Sequence, residues 1–345
     1  MGRETSYNSI FSSELWEGVN PENKTLLEDF LDYKRSSQKS EATIWQYFQM
    51  LRLFFCWNKE SNGNKFFCDI KKRDFVKFFN YLTTNLKSSP NRIATVKSSI
   101  SSLSNYIESI LDDEFPNYRN IVKSIEIATK TPVRKKTVLS KEQVETCLSK
   151  LVRDGKYQIA CFMALAAASG ARKAELLRFK CSYFDDSNII FGSIYKTPEK
   201  IVTKGRGKQG KLLYKYTFVK QFKPYFDLWM NEREKRGIKS EYLFVAKNIK
   251  TGKYNVASIS TADAWSHTIS EYLGCDFYPH SLRHYWTTEL KRQNLPDDVI
   301  KELCGWQNVL MIATYSDLQV DDFLGNYFDE NGVKSDIKVA KITDL

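Results

Sequence analysis

Histidine is scarce in this chain, with three in 345 residues, at 267, 280 and 284. Cysteine occurs seven times (56, 68, 147, 161, 181, 275, 304), but it is never spaced as a Cys-x-x-Cys pair. Scattered thiols in odd number argue against a disulfide framework or a zinc site and fit a reducing compartment. Long hydrophobic runs are missing as well. The longest, Ile159 to Ala168, falls well short of the roughly 20 residues that span a bilayer and reads as a buried helix. No signal-peptide pattern opens the sequence. Met1-Gly2-Arg3-Glu4-Thr5-Ser6 fits a myristoylation pattern, but one so short arises by chance. These absences lead us to expect no metal, no cofactor, no membrane partner and a cytoplasmic location.

Charge, in contrast, is plentiful. Lys and Arg number 52 against 41 Asp and Glu, a formal net charge of +11 and a pI near 9.1. A polyanionic partner is indicated, nucleic acid first and an anionic membrane second. Hydrophobic residues at 42% and charged residues at 27% make an ordinary globular composition, long enough for two domains with separate cores.

Two of the three histidines fall in one heptapeptide, Tyr278-Pro279-His280-Ser281-Leu282-Arg283-His284. Pro279 suits the first position of a helix, and positions i, i+3 and i+4 share a face, so His280, Arg283 and His284 point to one spot. A guanidinium between imidazoles suits a phosphate, and the same spacing fits a helix start whose histidines cap or pack. Two further stretches accompany it: Ser169-Gly170-Ala171-Arg172-Lys173-Ala174-Glu175-Leu176, and Leu303-Cys304-Gly305-Trp306 followed nine residues later by Tyr315. In this order and at these spacings the three resemble the boxes of the tyrosine recombinase (phage integrase) family. Each box alone is weak; their joint occurrence over Ser169 to Tyr315 is specific.

The resemblance implies a mainly α fold with a small antiparallel β-sheet, in which a helical core-binding domain precedes the catalytic domain, an Xer-like two-domain layout. The chain divides accordingly into an N-terminal arm (1–22), a helical DNA clamp (23–127), a basic linker (128–141), a catalytic domain (142–318) and an acidic tail (319–345). The residues before the clamp leave little room for a further arm-site DNA-binding domain. Helices are expected over 24–35, 41–57 and 74–85. The clearest carries Ile93, Val96, Ile100, Leu103, Ile107 and Ile110 at steps of three and four. Its other face bears Arg92, Thr95, Ser98, Ser99 and Ser102, small hydroxyls and a cation that suit a phosphate backbone, or simply a solvated face. In the clamp reading Arg92, Thr95 and Ser99 touch DNA.

The linker holds five cations and no acid, including Arg134, Lys135 and Lys136, and suits a strap across a groove. Ser140-Lys141-Glu142-Gln143 has the form of a capping box opening a new helix. Helices are expected over 142–153 and 158–168, then β-runs at 188–192, 200–203 and 212–219, then helices over 222–237, 258–273 and 297–303. The turn Lys204 to Gly210 is glycine-rich, and residues 196–223 hold nine Lys/Arg and one Glu. A hairpin carrying most of the net charge points to DNA contact, with Arg206 and Lys208 at its tip. Past Tyr315 the charge reverses: residues 317–345 hold seven acids and three lysines. By resemblance that segment docks on a neighbouring protomer, with Phe323, Leu324, Tyr327 and Phe328 as anchors.

The resemblance also assigns the chemistry. Tyr315 is the nucleophile that forms a 3′-phosphotyrosine link. Arg172 and Arg283 clamp the non-bridging oxygens, and losing one clamp donor costs roughly 3 kcal/mol or more of barrier. His280 bonds the phosphate or accepts the tyrosine proton. Lys204 protonates the leaving oxygen, with Lys200, Lys208 and Lys211 as neighbours able to substitute. Trp306, which stands where many members have histidine, can donate but cannot shuttle a proton, so it positions. Glu175 orients Arg172 or the histidines, and His284 supports. The implied activity is metal- and ATP-independent site-specific recombination of double-stranded DNA by a homo-oligomer, a tetramer on two sites, with accessory DNA-bending proteins and a nucleoid location. Alternatives are a type IB topoisomerase or telomere resolvase with the same chemistry, or a non-catalytic DNA-binding protein of this fold.

Overall fold

The computed structural model describes residues 13–129, 137–203 and 210–315, with a short strand pair at 328–329 and 332–333. The described residues divide into two compact units, 13–129 in the first and those from 137 onward in the second.

The first unit is helical: α1 (Ser13–Glu17), α2 (Pro21–Ser36), α3 (Glu41–Ser61), α4 (Lys72–Thr84) and α5 (Pro90–Ile110). Three of these helices start where the sequence offers a cap. The side chains of Asn20, Ser40 and Ser89 accept backbone N–H groups of the first turns of α2, α3 and α5, satisfying donors that have no intrahelical partner. Of the periodic residues of α5, Ile93, Val96, Ile100, Leu103 and Ile107 are buried, whereas Ile110 at the end of the helix is 45% exposed. Its core is aromatic: Phe54 meets Phe67, Phe75 and Phe78 with ring centroids 5.0–5.9 Å apart, each pair adding about 0.5–1.5 kcal/mol beyond its buried area.

Three expectations for this unit need correction. Residues 13–22 are not a loose arm: Val19 is buried, Trp16 stands edge-on to Phe48, and the Asn20 backbone N–H donates to Asn64 Oδ1. Ser99 is 4% exposed and its hydroxyl donates to the Thr95 carbonyl. That back-bonding, open to any serine four residues along a helix, uses the hydroxyl within α5, not on the exposed face expected for it. The linker is shorter than 128–141, because Leu139 lies in the core of the second unit and the Thr137 hydroxyl donates to the Asp276 carbonyl. Arg134, Lys135 and Lys136 lie outside the described residues.

The second unit is built round α7 (Tyr157–Ser169), which packs on α6 (Lys141–Arg153), α9 (Val219–Lys235) and α11 (Pro279–Arg292). Every residue of α7 from Ala160 to Ser169 is buried, as an all-round apolar helix requires. The capping box at Ser140 and Gln143 opens α6. Between α8 (Lys173–Leu176) and α9 lie β1 (Ile189–Ile190), β2 (Ile194–Lys196), β3 (Ile201–Thr203), β4 (Lys211–Leu213) and β5 (Tyr216–Phe218). Strands β1-β2-β5 form one antiparallel sheet and β3-β4 a hairpin with Thr203 opposite Lys211. A second hairpin, β6 (Val245–Lys247) with β7 (Tyr254–Val256), was not expected, although Leu243-Phe244-Val245 followed by a turn at Gly252 is a strand signal. Helices α10 (Ile259–Leu273), α12 (Asp297–Cys304) and α13 (Met311–Tyr315) complete the unit, and the residues at 328–329 and 332–333 pair as β8 and β9. The fold is mostly helical with small antiparallel sheets. No described helix is long and apolar enough to cross a membrane.

Candidate active site

The three sequence boxes converge. At the end of α7, Gly170 takes the left-handed conformation (φ +57), which glycine reaches without the Cβ clash. A Cβ there would also lie 2.5 Å from the indole of Trp286 on α11. Two residues on, Arg172 caps α8. Its backbone N–H donates to Glu175 Oε2 at 3.1 Å and its Nη1 to Oε1 at 2.9 Å, so the Arg-x-x-Glu spacing ties the guanidinium to its own helix start. Glu175 thus holds Arg172 at both its backbone and its guanidinium.

Helix α11 begins at Pro279 and carries His280, Arg283 and His284 on one side. Arg283 is 1% exposed. Its Nη1 donates to the Gly170 carbonyl at 2.7 Å and its Nη2 to the Cys304 carbonyl at 3.0 Å. The arginine of the second box is thus bolted to the backbones of the first and third. A guanidinium has five N–H groups; the remaining three include the buried Nε–H, which has no partner. Burial lowers the Arg283 pKa from its usual value, and Arg172 nearby lowers it further.

Gly305 closes α12 in the left-handed conformation (φ +66) and turns Trp306 inward. The turn at Asn308, whose side chain accepts the Leu310 N–H, leads into α13 and brings Tyr315 back over the site. Tyr315 is 8% exposed. Its hydroxyl lies 2.9 Å from His280 Nε2, and its ring stacks on Trp306 at 4.9 Å and lies 4.7 Å from His284. The Arg283 guanidinium sits 5.6 Å from the Tyr315 ring and 5.0 Å from Trp306. Trp306 Nε1 is buried without a partner, an N–H donor held ready.

Lys204, Arg206 and Lys208 lie outside the described residues, which resume on either side with β3 and β4. Lys200 places its ammonium 5.7 Å from the Tyr214 ring. In the first unit Arg92 and Thr95 remain at the surface, although the Thr95 hydroxyl already donates to the Asn91 carbonyl.

The site contains one group that the sequence reading missed. Lys215, between β4 and β5, is not part of a solvated basic face: it is 3% exposed and its Nζ lies 2.7 Å from Glu175 Oε2. Burial pushes the Glu175 carboxyl up, but Lys215 and Arg172 outweigh it and hold the group below its ordinary value. Burial also lowers the Lys215 ammonium, against the opposing pull of Glu175.

This geometry can be set beside known proteins. Residues 137–321 match the phage integrase family, and residues 26–117 match the phage integrase N-terminal SAM-like domain. The SPbeta prophage-derived recombinase-like protein YomM of Bacillus subtilis (strain 168) is 32% identical over 276 residues, 79% of each chain. Among solved structures, the Tn1549 transposon integrase in complex with circular intermediate DNA aligns with 87% of this chain and 97% of its own (16% identity, TM-score 0.65). The XerH site-specific recombinase bound to a palindromic difH substrate in a post-cleavage complex aligns with 82% and 78% (17% identity, TM-score 0.62), and a lambda integrase tetramer bound to a Holliday junction with 85% and 77% (14% identity, TM-score 0.59). The structural likenesses establish a shared fold. The family match covers more than half of the sequence and coincides with the unit in which the three boxes meet, and the chain belongs to the phage integrase family of tyrosine recombinases.

Proposed function

We propose that this recombinase cuts and rejoins DNA strands at specific sites through a 3′-phosphotyrosine link at Tyr315. The observation that carries the reading is the 2.9 Å contact between the Tyr315 hydroxyl and His280 Nε2, beside a guanidinium anchored by two backbone carbonyls. His280 takes the phenolic proton as the Tyr315 oxygen bonds to phosphorus. The bond from phosphorus to the 5′ oxygen breaks, and that oxygen leaves with a proton from Lys204. Arg172 and Arg283 hold the non-bridging oxygens, where negative charge builds. Trp306 supports the ring of Tyr315 and offers its N–H to the phosphate, and His284 packs beneath. A phosphotyrosine is itself a reactive diester, so attack by a 5′-hydroxyl reverses the step without ATP.

The first unit acts as the clamp over 23–127, with Arg92 and Thr95 towards the duplex, and the basic linker and the hairpin tip (Arg206, Lys208) add phosphate contacts. Relatives of this fold bound to substrate DNA and to a Holliday junction as a tetramer support double-stranded DNA as partner and a homotetramer as the working assembly. The acidic tail over 319–345 links protomers, accessory DNA-bending proteins shape the complex, and the enzyme works where the DNA is, at the nucleoid.

The test uses a pool of nicked suicide duplexes tiled across the DNA that flanks the coding sequence. On denaturing gels the wild type forms a covalent protein–DNA adduct with a member of the pool. Tyr315→Phe binds DNA and forms none. An adduct retained by Tyr315→Phe, or none from the wild type, refutes the reading.

A further inference from the structure

Glu175 poses an electrostatic problem. Its carboxylate is needed to hold the Arg172 guanidinium, yet a carboxylate 2.9 Å from that guanidinium also cancels its charge. Lys215 resolves the conflict. Its backbone is pinned to the residue after β2: its N–H donates to Thr197 Oγ1 and its carbonyl accepts from the Thr197 N–H, each at 3.0 Å. Its ammonium reaches Glu175 Oε2 at 2.7 Å, the oxygen that also accepts the Arg172 backbone N–H.

We propose that Lys215 is a positioning residue for strand cleavage. It completes the hydrogen bonding of Glu175 and offsets the carboxylate charge, so that Arg172 presents an oriented guanidinium with its charge undiminished. This rests on the recombinase reading above. The charges agree with the chemistry. Arg172, Arg283 and Lys215 against Glu175 leave a surplus of two positive charges. A phosphodiester carries one negative charge, and attack by a phenolate raises it to two. Without Lys215 the surplus would be one. Stability alone is a weak reason for the pair, since a buried ion pair is often no more stabilising than apolar residues of the same volume. The charged and titratable groups facing Lys215 are Glu175, Arg283, Arg172 and Cys304, so its ammonium lies within the cluster that would bind the phosphate, one residue removed from contact.

The experiment measures single-turnover cleavage of the suicide duplex, with DNA affinity and circular dichroism recorded alongside. Lys215→Met keeps the length of the side chain and removes its charge. It is expected to slow cleavage on the order of ten- to a hundred-fold, the scale seen when an outer partner of a functional group is lost, with DNA affinity and folded signal retained. Lys215→Met combined with Glu175→Gln removes the charge that Lys215 balances, and is expected to cleave faster than Lys215→Met alone. Wild-type rates in Lys215→Met overturn the proposal. So does a slowing matched by an equal loss of DNA affinity or folded signal, or a double variant slower than both single ones. Failure of the wild type to form any adduct instead overturns the recombinase reading itself.

Discussion

Replacing Gly170 by alanine probes how the first and second boxes are joined. Gly170 sits at φ +57, where a Cβ meets backbone oxygen, at about 1–2 kcal/mol for a residue other than glycine. The added methyl would also lie 2.5 Å from Cε3 and 2.8 Å from Cδ2 of Trp286, a buried ring that cannot swing aside, and overpacking of this kind costs about 1–3 kcal/mol. Together the two effects come to about 2–5 kcal/mol, a large share of the 5–15 kcal/mol that holds a domain folded. Gly237→Ala is the matched control. Its φ is +63 and nothing lies within 4 Å of its Cβ position, so only the backbone cost remains. Urea unfolding of both variants should place Gly170→Ala about 1–3 kcal/mol below Gly237→Ala. The Gly170 carbonyl holds Arg283 and Trp286 lies one turn along the same helix, so cleavage should fall as well. Misplacement by about 1 Å can cost a hundred-fold in rate. Equal stability of the two variants would refute the argument that the close approach of α7 to α11 demands glycine.

Two further outcomes follow from the same site. Gly305→Ala places its methyl on Leu213 Cδ1, the far end of a flexible side chain, so it should lose less stability than Gly170→Ala; a larger loss in the same urea series would show that β4 is held rigidly against α12. Because Glu175 titrates below its ordinary value near 4.5 in the folded chain, its stabilisation is present above that value and is lost as pH falls through the lower folded one. The stability gap between wild type and Glu175→Gln should therefore narrow from pH 7 to pH 3.5, and a gap that widens on acidification would count against the ion pairs described.

The boxes were legible because each is a local device. Arg-x-x-Glu is a capping arrangement within one helix start, His-x-x-Arg-His is one face of one helix, and the interval from Gly305 to Tyr315 is a turn and a short helix. Periodicity likewise announced α5, and the all-apolar run announced α7, since burial on every side leaves no polar face to hide. Local patterns are written in the order of residues, so they survive without a fold. What the order of residues could not carry is which charges end up inside. Lys215 reads as one more cation in a basic run and Ser99 as one more hydroxyl on a polar face. Their burial depends on where the turn between β4 and β5 lies against α8 and how α5 packs in its bundle. The anchoring of Arg283 is of the same kind, because its two carbonyl partners lie 113 and 21 residues away along the chain. The sequence by itself determined the family, most of the helices and the three boxes. The tertiary structure decided which of their groups face one another, because desolvation and hydrogen bonding act between neighbours in space.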